Sequence, residues 1–65
     1  MITVLEEQQT GLTRNGLCLA RRVYLASGTD DMLPTDAAPG SLALVREGER
    51  VHIRILFPDG SWGRL

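Results

Sequence analysis

A chain of 65 residues and 7.1 kDa makes one domain at most, because a domain this small buries only about 60% of the surface its unfolded form exposes. Cys18 is the only cysteine and His52 the only histidine, so neither an internal disulfide nor a Cys/His zinc site can be built within one chain. A core this size barely offsets the cost of ordering the backbone, and partner chains are the remaining source of support.

Apolar residues at 43% and charged residues at 23% match ordinary globular values and argue against disorder. A net charge of −1 and a pI near 5.6 lack the positive excess of a dedicated nucleic-acid binder. All seven basic residues are arginine; a GC-rich genome gives that bias through codon use, and so does a role at interfaces, where arginine forms planar bidentate hydrogen bonds. The opening Met-Ile-Thr-Val-Leu-Glu-Glu has no basic stretch followed by an apolar run, and no long apolar segment follows, so neither a secretion signal nor a membrane span is expected. One unpaired cysteine suits a reducing cytoplasm.

Residues 1–16 form an N-terminal arm or segment. Ile2, Val4 and Leu5 are followed by a polar run from Glu6 to Thr10, with Gly11 and Gly16 as breakers. Thr3 and Glu6 have capping-box spacing for a short helix, but the glycines and the missing apolar stripe favour an extended arm or strand. Residues 17–65 form a single small β domain. From Leu17 to Ala26, Leu17, Leu19, Val23 and Leu25 share one parity, the period of a strand, with Arg21 interrupting the apolar face. Ser27 to Asp31 reads as a turn, and Pro34 to Ser41 is too punctuated for a helix.

The last third predicts a three-stranded meander. Leu42 to Arg46 is a short apolar run and Glu47-Gly48-Glu49 a turn; Val51, Ile53, Ile55 and Phe57 then alternate with His52, Arg54 and Leu56. That alternation marks a half-buried strand. Pro58-Asp59-Gly60 turns the chain into a final segment bearing Trp62. The expected fold is a small antiparallel β-meander or barrel-like module whose apolar face must be covered by the arm, the Leu17 strand or a second chain.

The inventory for chemistry is thin. Cys18 and His52 are the one conceivable thiolate–imidazole pair, yet Cys18 between two leucines reads as a small hydrophobe and His52 as an outward strand residue. Asp30, Asp31 and Asp36 collect acid around a loop, but their spacing matches no dedicated calcium loop. The glycines follow turns and open no helix, so no phosphate cradle is expected. No catalytic residue, cofactor or metal is expected. Arg21, Arg22, Arg46, Arg50, Arg54 and Arg64 raise nucleic-acid binding, but Tyr24, Phe57 and Trp62 are the only aromatics and Glu47, Glu49 and Asp59 dilute the charge.

The string PTDAAPGSLALV, a Glu-Gly-Glu turn, VHIRI and then DGSWGRL resembles a pattern in short β-rich virion proteins of tailed bacteriophages. It covers about half the chain, through Pro34, Pro39, Gly40, Ser41, Ala43, Gly48, Gly60 and Trp62. His52 and Ile53 stand where that family more often has a tyrosine-containing pair. The resemblance implies a non-enzymatic building block of head, collar or tail, made in the host bacterial cytoplasm and assembled into the virion with other virion proteins. Symmetric copies are expected, a trimer by analogy. On that reading Trp62 and Phe57 anchor the hairpin or a subunit interface, Val51, Ile53 and Ile55 fill its core, and Tyr24 and Arg54 are further anchors. The alternative is a small SH3-like or OB-like module that binds a peptide or nucleic acid through an exposed aromatic groove.

Overall fold

The computed structural model describes residues 1–28 and 31–65. Five strands, β1 (Ile2–Arg14), β2 (Leu17–Ala26), β3 (Leu42–Glu47), β4 (Arg50–Leu56) and β5 (Trp62–Arg64), lie side by side in chain order in one sheet. The described residues contain no helix, so the chain is all-β as its period-two patterning predicts. Two expectations are corrected. β2 and β3 run parallel, Val23–Ala26 beside Leu42–Val45, so the sheet is mixed and the antiparallel meander holds only from β3 to β5. The sheet also stays open, with β1 and β5 as its edges, and forms no barrel.

Parallel neighbours cannot be joined by a tight turn and need a connection of about a dozen residues or more. Residues 27–41 supply it. The turn expected at Ser27 to Asp31 includes Thr29 and Asp30, which lie outside the described residues. From Leu33 to Ala37 the connection packs on one face of the sheet, against Tyr24, Ala26, Ala43, Val45 and Leu56. Ala26, Ala37 and Ala43 are fully buried there: with only a methyl at each position, the crossing backbone can lie close to the strands.

A tight turn at Ala38–Ser41 ends the crossover. Ser41 N–H donates to Ala38 C=O at 3.2 Å, Pro39 sits at the second position and Gly40 at the third with φ +89°. That is a type II turn, which needs positive φ where Gly40 stands. Ser41 is fully buried and its hydroxyl is used twice, donating to Ala38 C=O at 2.7 Å and accepting from Arg22 N–H at 3.0 Å. Ala38 N–H donates to Ala20 C=O at 2.9 Å. The crossover thus pairs with the edge of β2 that β3 does not reach.

β1 and β2 are joined by Asn15-Gly16, with φ 51° and 78°, the two left-handed residues of a type I′ hairpin turn. β1 carries two register shifts, at Val4/Glu6 and at Gln9/Thr13. Residues 1–16 are therefore built into the sheet as a long strand and its turn. Only Val23–Ala26 of β2 pairs with β3, so the turn end of the β1–β2 hairpin projects as a two-stranded ribbon.

Candidate functional site

Strand pairing assigns every side chain to one of two faces. The covered face carries Tyr24, Ala26, Ala43, Val45, Leu56 and Trp62 beneath the crossover. Tyr24 is 2% exposed and meets Trp62 edge to face, with ring centroids 6.2 Å apart. Trp62 Nε1 donates to Pro34 C=O at 2.9 Å, tying the last strand to the crossover. Arg54 is half-buried on this face and lines a hollow with Asp31, Leu33, Val45 and Trp62.

The opposite face has no cover. Val23 and Leu25 of β2, Leu42 and Leu44 of β3, and Val51, Ile53 and Ile55 of β4 lie in register across it. Val51 is 57% exposed, Ile53 44% and Leu25 37%. Phe57, 43% exposed, continues the row, its ring lying over Gly63 so closely that a Cβ at Gly63 would overlap it. A sheet glycine leaves bare backbone, and an aromatic ring laid across it restores the packing. Contiguous exposed apolar surface of this kind is the general character of interaction surfaces.

Of the seven residues singled out from the sequence, Val51, Ile53, Ile55 and Phe57 therefore come together on the open face, whereas Trp62, Tyr24 and Arg54 lie on the other. The expectation that Val51, Ile53 and Ile55 fill the core is not met within the chain; the buried member of β4 is Leu56, from the alternate parity. The same inversion holds in β2, where Ala20, Tyr24 and Ala26 are buried and Leu17 is 70% exposed. Leu19 alone of the expected parity is buried. The reason is the crossover: it covers the face that carries Tyr24, Ala26, Ala43, Val45 and Leu56 and leaves Val51, Ile53 and Ile55 on the other.

The polar groups found together serve turns and strand ends. The N-terminal ammonium of Met1 pairs with Asp31 at 2.7 Å, and this hydrogen bond, helped by those from Ser27, holds the Asp31 carboxyl below its usual range. Arg22 reaches Tyr24 Oη at 3.4 Å and Glu7 at 3.1 Å, and these two hydrogen bonds raise its pKa further. Asp59 accepts from the Ser61 hydroxyl at 2.6 Å and the Ser61 N–H at 2.9 Å, which lowers its pKa. His52 pairs with Glu47. Cys18 is exposed near the hairpin turn on β2, two strands away from β4, so the structure does not bring it to His52. The acidic loop is dispersed as well: Asp31 serves the N-terminus, Asp36 lies 3.8 Å from Arg22, and Asp30 is outside the described residues. No group of three or more metal-ligating side chains occurs among the described residues.

The projecting ribbon was not foreseen. Its signal was present in the sequence, since Asn-Gly between two extended runs is the strongest short-range hairpin cue. No family model matches the chain, and neither curated proteins nor solved structures give a match.

Proposed function

We propose that the chain is a non-enzymatic structural component of a tailed-bacteriophage virion, a head, collar or tail accessory protein acting through protein–protein assembly. The observation that carries this reading is the uncovered apolar face of Leu25, Val51, Ile53, Ile55 and Phe57, because a small chain without disulfide or metal gains most from a neighbour that buries such a face. The phage-like segment supports it: Pro39, Gly40 and Ser41 build the turn that docks the crossover. Trp62 and Tyr24 then hold the module together while the open face meets other virion proteins or further copies. Exposed aromatics for an SH3-like or OB-like groove are scarce, since Tyr24 is buried and Trp62 half-buried.

The test is co-purification with intact particles. The protein is expected at a fixed stoichiometry, and Ile53→Asp, which changes only an exposed side chain, is expected to leave the chain folded but absent from particles. Particles lacking the wild-type protein, or incorporating the folded variant equally well, would overturn the reading.

A further inference from the structure

The two edges of the open sheet are complementary in strand direction, backbone orientation and charge. β1 is antiparallel to β2, β2 parallel to β3, and β4 antiparallel to both β3 and β5. β1 and β5 therefore run in opposite directions. If copies are related by rotation about an axis along the strands, β5 of one copy meets β1 of the next as an antiparallel pair. A fully antiparallel five-stranded meander would have left its two edges parallel to each other, so the one parallel pair in this sheet makes such a junction possible.

Both edges present free backbone groups. Phe57 N–H donates to Ser61 C=O at 2.8 Å and Leu65 N–H to Ile53 C=O at 3.1 Å, so strand alternation turns the N–H and C=O of Trp62 and Arg64 outward. At the other edge Ser27 N–H donates to Met1 C=O, which turns Ile2 and Val4 outward. Beyond the register shift, Arg22 N–H is directed away from β1 to Ser41, so its partner Glu7 faces outward too. The register shifts of β1 leave a straight run of four residues from Glu6 to Gln9, long enough for the three residues of β5.

Charge follows the same division. Arg54 and Arg64 sit directly opposite each other on the same face, a like-charge pair that is unfavourable by itself. Among the described residues neither has a carboxylate within ion-pair distance. The opposite edge carries Glu6 and Glu7, both exposed; the register places Glu7, which already holds Arg22 at 3.1 Å, on the same face as Arg54 and Arg64, and Glu6 on the other. An acidic edge brought against the Arg54–Arg64 pair relieves the repulsion.

We propose that the partner of each edge is a second copy of this chain, joined head to tail through β5 of one copy and β1 of the next. A contact between unlike surfaces of this kind closes into a ring or continues as a filament, according to the rotation per copy. The proposal deepens the assembly reading above, but its test is in solution and independent of particle binding.

The test uses two edge-blocked variants of the full chain. Glu7→Pro removes an outward N–H from the Glu6–Gln9 run of β1 and Arg64→Pro does the same at β5, each also deleting a charge; proline is tolerated at edges because no ladder bond is lost. By light scattering, the wild type is expected at a multiple of 7.1 kDa and each variant as a single chain. Their mixture is expected to form a two-chain species, since each supplies the edge that the other lacks. A monomeric wild type, a folded variant of wild-type mass, or a mixture of folded variants that stays single-chain would each overturn the proposal. Should a proline variant lose its β-sheet circular dichroism, Arg64→Glu decides: loss of assembly with the fold retained supports the junction, and unchanged mass refutes it.

Discussion

Replacing Trp62 with alanine separates a core residue from an interface anchor. The side chain is half-buried under the crossover, stacks edge-on against Tyr24 and bonds to Pro34 C=O. Truncating a buried tryptophan costs about 3–5 kcal/mol, and the partial exposure places this site near ~3 kcal/mol, a sum that includes about 1 kcal/mol each for the hydrogen bond and the aromatic contact. A chain of this length has a total stability of roughly 3–10 kcal/mol. The loss is therefore a large share of the whole, and it should lower the melting temperature by about 12–24 °C. Far-ultraviolet circular dichroism is the suitable probe, because the variant lacks the only tryptophan. Trp62→Phe retains the ring contact but not the N–H, and should fall about one third as far. A Trp62→Ala protein with unchanged melting temperature and reduced assembled mass would refute the reasoning, since it would place the indole against a neighbour and not in the chain's own core.

Ser41→Ala should cost about 2 kcal/mol, because it strands the Arg22 N–H and removes the hydroxyl bond to Ala38; urea denaturation measures it, and a loss below the ordinary scatter of surface substitutions would contradict the role given to that hydroxyl. The lowered pKa of Asp59 means that its contribution to stability is present above its unfolded value, near about 3.9, and is lost as pH falls through the lower folded value. Ser61→Ala, which removes the largest cause of that shift, should flatten the fall in stability on acidification, and an unchanged pH profile would count against it. The exclusion from particles expected for Ile53→Asp and the two-chain species expected from the Glu7→Pro and Arg64→Pro mixture test the open face and the sheet edges separately.

The strand character of β4 was legible from the sequence because Val51, Ile53 and Ile55 alternate with polar neighbours, and the turns at Gly48 and Pro58-Asp59-Gly60 bound it on both sides. The hairpin cue at Asn15-Gly16 lay in the sequence as well, but there Gly16 read only as a breaker at the end of an arm. Alternation establishes that a strand has two unlike faces, but it does not say which one a distant segment will cover. That choice depends on how the crossover packs, and here it covers the parity of Tyr24, Ala43 and Leu56 and not that of Leu25, Ile53 and Ile55.

The sequence by itself pointed to a mainly β chain and, with one cysteine, excluded an internal disulfide, because composition and period-two patterning are local properties. Tertiary structure alone decided that β2 and β3 are parallel, that residues 33–37 roof the face of Tyr24, Ala43 and Leu56, and that Val51, Ile53 and Phe57 remain open. Strand direction and the covered face both depend on contacts between residues far apart in the chain, which no local pattern encodes.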